Sequence, residues 1–87
     1  MITDEELAKL FPNGAMMIPL SGAPSVEVMV GGSQYAPDPE DAHIFEVWVS
    51  HYKEMRVSRE VTHRDGGIEA DSSIGPIFLR PMETNNS

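Results

Sequence analysis

His43 and Glu46 stand three residues apart, and so do His51 and Glu54. On a helix each pair shares a face and could ligate a metal ion or hydrogen-bond internally. A mononuclear site needs a further ligand, for which His63 or Asp65 is the nearest suggestion in the sequence. A solvated helix face carries His and Glu just as readily, and spacing alone does not separate the two cases. The expectation is therefore no metal and no cofactor, with a small metal-dependent enzyme built on His43, His51, His63 and Asp65 as a remote alternative. A milder expectation is that the three histidines tune association between about pH 5 and 7.

The other chemical spellings are weaker. His63-Arg64-Asp65 matches the kinase catalytic-loop tripeptide, but the fifth position after the Asp, where that motif needs Asn, is Ala70. Gly31-Gly32-Ser33 lacks the spacing and the Lys of a phosphate loop, and no Lys or Arg lies between Lys9 and Lys53. Ser50 and His51 are neighbours; on a helix they point about 100° apart, which is wrong for a nucleophile and its base. Cysteine is absent, which excludes disulfides, thiolate metal sites and a cysteine nucleophile. Asn85-Asn86-Ser87 spells a glycosylation sequon with no secretory signal to give it meaning. None of this points to an enzyme.

What remains is charge and apolar surface. The 87 residues carry a net charge of −8. Residues 1–50 hold eight acids against Lys9 alone, whereas residues 51–87 hold six acids and five bases. So acidic a first half disfavours direct contact with nucleic acid or an anionic membrane and suits a basic protein partner. Lys53, Arg56, Arg59 and Arg64 form a basic cluster that could meet an acidic surface, including that of a second copy. Asp4, Glu5, Glu6, Asp38, Glu40, Asp41 and Glu46 could instead act together as an acidic inhibitor that competes for a nucleic-acid site on a basic protein.

The elements that would position these groups follow from patterning. A T-x-x-E capping box at Thr3 and Glu6, with Ile2 and Leu7 at the staple positions, starts a helix over 3–11. Residues 15–20 and 25–30 read as two strands of a hairpin, the second alternating Val26, Val28 and Val30 against Glu27 and Met29. Gly31-Gly32 reads as the stop of that strand.

Over 38–55 the pattern favours one long helix. Asp38 can cap it, Pro39 suits its first position, and Glu40 and Asp41 suit the dipole. Ala42, Ile44, Phe45, Trp48, Val49, Tyr52 and Met55 gather on one half of the wheel. Val47 is the one large apolar residue on the polar half, and with His43, His51 and Glu46 it marks a candidate interaction face. The competing reading is a strand, because Phe45, Val47 and Val49 alternate. It is disfavoured because 51–54 lacks turn chemistry.

Residues 56–62 alternate again, Asp65-Gly66 signals a hairpin turn, and 77–79 reads as a last strand between Pro76 and Pro81. The expected fold is α+β: an antiparallel sheet of about four to five strands with one long amphipathic helix and a short N-terminal helix, in the order α-β-β-α-β-β. It spans 1–82 as a single domain, with 83–87 as a polar tail.

A chain of this size buries only about 60–65% of its unfolded surface, so its core is thin and gains from a partner. The expectation is a non-enzymatic acidic subunit of a larger protein assembly, of the kind seen among accessory or virion proteins of phages and mobile elements. It would bind protein partners or itself, and no membrane. No run of 18 apolar residues spans a bilayer, and the acidic start lacks the regions of a signal peptide, so the expected compartment is the cytoplasm.

Overall fold

Local signals set the first element. The computed structural model describes residues 1–32, 43–49 and 54–83. Helix α1, Asp4–Leu10, opens on the expected capping box: the Thr3 N–H donates to Glu6 Oε1 at 3.1 Å, and the Glu6 N–H donates to Thr3 Oγ1 at 3.1 Å. These bonds satisfy two of the donors that a helix start leaves orphaned. Ile2 and Leu7, the staple pair, are both buried. Seven residues cannot hold a helix alone. Packing against the barrel holds this one, with Ile2, Leu7 and Phe11 in the common core.

Seven strands follow: β1 (Ala15–Pro19), β2 (Val26–Gly32), β3 (Ile44–Trp48), β4 (Glu54–Ser58), β5 (Thr62–Arg64), β6 (Gly67–Ser72) and β7 (Gly75–Pro81). Neighbours pair antiparallel in the order β4-β3-β2-β1-β7-β6-β5, and β4 also meets β6 through Val57 and Ser72. The Ser73 N–H donates to the Arg56 carbonyl at 3.0 Å beside that pair. Six strands thus close into an antiparallel β-barrel, mostly by way of successive hairpins. Inward positions are apolar along β1–β4, β6 and β7: Ala15 and Met17, Val28, Phe45 and Val47, Val57, Ile68 and Ala70, Ile77 and Leu79. No helix among the described residues is long and apolar enough to cross a membrane.

The barrel corrects the expected α+β sheet and its long helix. Residues 44–48 form β3, and 54–58 form β4. Ile44, Phe45, Trp48 and Val49 fall on one side of a helical wheel by coincidence of spacing, while the same stretch satisfies a period of two. The non-local ladder decides. β3 lies between β2 and β4, and without it each would present an open edge of unpaired backbone groups. The objection to a hairpin also falls. Trp48 is opposite Glu54, so five residues separate the partners, and a connection of that length does not depend on an Asn-Gly turn. The proposed cap Asp38 and the first-turn acids Glu40 and Asp41 lie outside the described residues.

Smaller expectations hold or shift. β1 and β2 pair as expected, but Gly31 and Gly32 continue β2, opposite Glu46 and Phe45, rather than ending it. Asp65-Gly66 forms the two-residue turn between β5 and β6, with Gly66 at φ +88°. The expected strand over 56–62 is broken. Between the Val57–Ser72 and Thr62–Glu69 pairs, β6 moves three residues and the opposing chain five. The two extra residues bulge out between β4 and β5, and Arg59 sits in that break.

Candidate interaction groove

The outward faces of β2 and β3 bring Met29 and Trp48 together as cross-strand partners. An aromatic at such a position covers its neighbours on the sheet surface. Trp48 reaches the diagonal neighbour Gly31, where a Cβ would come within 2.8 Å of Cζ3 of its ring. Only glycine lets the indole lie down on β2 in this way. Phe78 on β7 is placed similarly over Gly67 of β6, where a Cβ would meet its Cζ at 2.9 Å. Met29 stays 58% exposed. Around this pair, Asn13, Glu27, Val28, Val49 and Met82 complete a groove of about 400 Å³. Trp48, Val49 and Met82 are half-buried, and Glu27 is exposed. Among the described residues, the chemistry is aromatic, thioether and aliphatic surface with one carboxylate in the lining. A second cavity, of about 410 Å³, lies over the chain start and the β4–β5 break and is lined by Met1, Ile2, Glu6, Arg59, Glu60, Val61 and His63.

Arg59 defines that second region by tying its walls together. Its guanidinium donates from Nε to the Ile44 carbonyl at 2.9 Å, from Nη1 to the Ile2 carbonyl at 3.1 Å and from Nη2 to Asp4 Oδ1 at 2.6 Å. Its backbone joins the same seam: the Ile2 N–H donates to the Arg59 carbonyl at 2.9 Å, and the Arg59 N–H donates to the His43 carbonyl at 2.9 Å. The side chain is only 12% exposed. One planar fork therefore ties the N-terminal segment to the starts and ends of two strands, a geometry that an ammonium cannot reproduce. Nearby, the Glu6 carboxyl is held below the usual glutamate range. Its hydrogen bond from the Thr3 backbone contributes most, then the Thr3 hydroxyl, with smaller help from His63 and the terminal amine.

The residues proposed from the sequence scatter across this fold. His51, Lys53, Asp38, Glu40 and Asp41 lie outside the described residues. Val47 is fully buried in the barrel, so its place on an exposed helix face falls with the helix. Glu46 is outward on β3 yet buried, opposite Arg56 in the register, and is not part of a solvated polar face. His43 is exposed at the entrance to β3. Of the described members of the basic cluster, Arg56 is exposed on β4, the Arg59 side chain is mostly buried, and Arg64 sits on β5 at 3.6 Å from Glu69. Among the described residues, no three His, Asp or Glu side chains form a group that could hold a metal ion.

Two features escaped the sequence reading, though each left a trace. Met29 stands on the polar side of an alternating strand, and Arg59 stands between Val57 and Val61 on the apolar side of another. No protein-family model matches the chain, and neither a curated protein nor a solved structure matches it.

Proposed function

We propose that this chain is a non-enzymatic interaction module, a small acidic subunit that joins a larger protein assembly through the groove on β2 and β3. One observation carries the reading. Met29, Trp48 and Met82 present aromatic and thioether surface on the outside of the barrel rather than in its core. Side chains of these types are enriched at the centres of protein interfaces, and an exposed cluster of them on a small domain is a docking feature. Methionine adds an adaptable surface that fits partners of varied shape.

The inhibitor reading is less favoured. Of its acids, Glu46 is buried, and Asp4 and Glu6, though exposed, are already engaged by Arg59 and by the capping box. A chain free of cysteine fits work in a reducing compartment such as the cytoplasm.

A photocrosslinking amino acid placed at Met29, compared with one at exposed Asp71 on β6, tests the reading in cells of the chain's own source. A discrete protein adduct from position 29, absent from position 71, is the expected result. No adduct from position 29, or the same adducts from both, would count against the groove as the assembly surface.

A further inference from the structure

The groove's lining suggests what it takes. Among the described residues of the lining, Glu27 is the charged one, and it lies on the same outward face of β2 as Met29, two residues away. Trp48 rests its six-membered ring against Gly31 and lines the groove. Indole and carboxylate together suit a cation: the ring attracts it through its quadrupole, and the carboxylate pairs with it. Met29, Val49 and Met82 suit an aliphatic neighbour or the methylene stem of the cationic side chain itself. We propose that the Glu27–Met29–Trp48 groove binds a segment of another protein that presents an arginine or lysine beside a large aliphatic side chain.

Charge also argues for a different protein rather than a second copy. The chain is −8, so two copies repel. The inference rests on the assembly reading and narrows it to one kind of partner.

Trp48 is the chain's one tryptophan, so its indole signal reports on the groove without ambiguity. The probes are N-acetyl-leucyl-arginine amide and its neutral counterpart N-acetyl-leucyl-glutamine amide, titrated while the indole N–H resonance is followed. The arginine probe should give a saturable shift with an affinity about threefold to tenfold above that of the glutamine probe. Glu27→Gln, a change at an exposed position, should shrink that advantage, and so should about 0.5 M salt. Saturable binding of equal strength from both probes would overturn the cation preference and leave the groove as an apolar dock. No shift from either probe would overturn the inference altogether. The crosslinking result at Met29 judges the assembly reading separately in both cases.

Discussion

The seam at the start of the chain and the groove on β2 and β3 are cavities of nearly equal size with opposite chemistry. In the seam, polar groups converge and are consumed. Arg59 gives three donors to Ile44, Ile2 and Asp4, and the backbone of Ile2 answers it. In the groove, apolar side chains stand outward and the lining carboxylate remains exposed. Both use residues that break an alternating sequence pattern: an arginine between Val57 and Val61, where an apolar residue would fit, and a methionine on β2 where a polar residue would. The first exception is answered inside the molecule and the second is not. A polar group turned inward must find its partners within the fold, because unmet hydrogen bonds there are costly. An apolar group turned outward meets no such demand, and its partner can be another molecule.

The largest expected effect tests the seam. Arg59→Met leaves the Ile2 and Ile44 carbonyls without their donor and should lower stability by about 2–4 kcal/mol. The bond to Asp4 adds little to this, because that carboxylate is 66% exposed. Arg59→Lys should recover less than half of the loss, since one ammonium cannot reach all three acceptors. Urea midpoints measure both. If the methionine variant unfolds at the same urea concentration as the parent, the seam does not hold the chain start. Neither variant should alter binding of the arginine probe.

Next come the two glycines under aromatic rings, which differ in what an added methyl would strike. At Gly67 it meets the Leu79 carbonyl oxygen, a backbone atom with no room to move, before it meets Phe78. Gly67→Ala should therefore lower stability by about 2–3 kcal/mol. At Gly31 it meets only the edge of the Trp48 ring. Gly31→Ala should cost about 1 kcal/mol or less by lifting the indole, but it should change Trp48 emission and weaken the arginine probe. Equal losses of stability at the two sites would mean that the groove floor is as rigidly built as the core.

The parts legible in the sequence were those decided by near neighbours. Thr3, Glu6, Ile2 and Leu7 specify a helix start within six residues, and Asp65-Gly66 specifies a turn within two; both stand in the structure. The hairpin of β1 and β2 was legible for the same reason. β3 was not. Its apolar residues suit both a helical and an alternating pattern, and the choice falls to pairing with β2 and β4. Closure was equally hidden, because Val57 meets Ser72 only after the chain has turned through β6. Arg59 and Met29 were visible as oddities. What resolves Arg59 is the Ile2 carbonyl, 57 residues earlier, and what gives Met29 a setting is Trp48, which the helix reading had turned toward the core.

The smallest effect concerns how far the seam depends on charge. Glu6 binds its proton less readily in the folded chain than an ordinary glutamate, chiefly because the Thr3 N–H stabilises the carboxylate. A depressed folded value adds stability that is complete above the unfolded value, about 4.3, and is lost as pH falls through the folded one. Glu6→Gln keeps an acceptor for the Thr3 N–H but removes the charge. The parent should therefore be slightly more stable than the variant at neutral pH, and the difference should vanish in acid, below the ordinary glutamate range. Urea midpoints of both chains from about pH 7 down to about pH 3 read this directly. A difference that persists unchanged into acid would mean that the carboxylate charge contributes nothing at the helix start and that geometry alone closes the capping box. The helix start would then be held by hydrogen-bond geometry, and the contrast with the groove and its exposed carboxylate would be sharper.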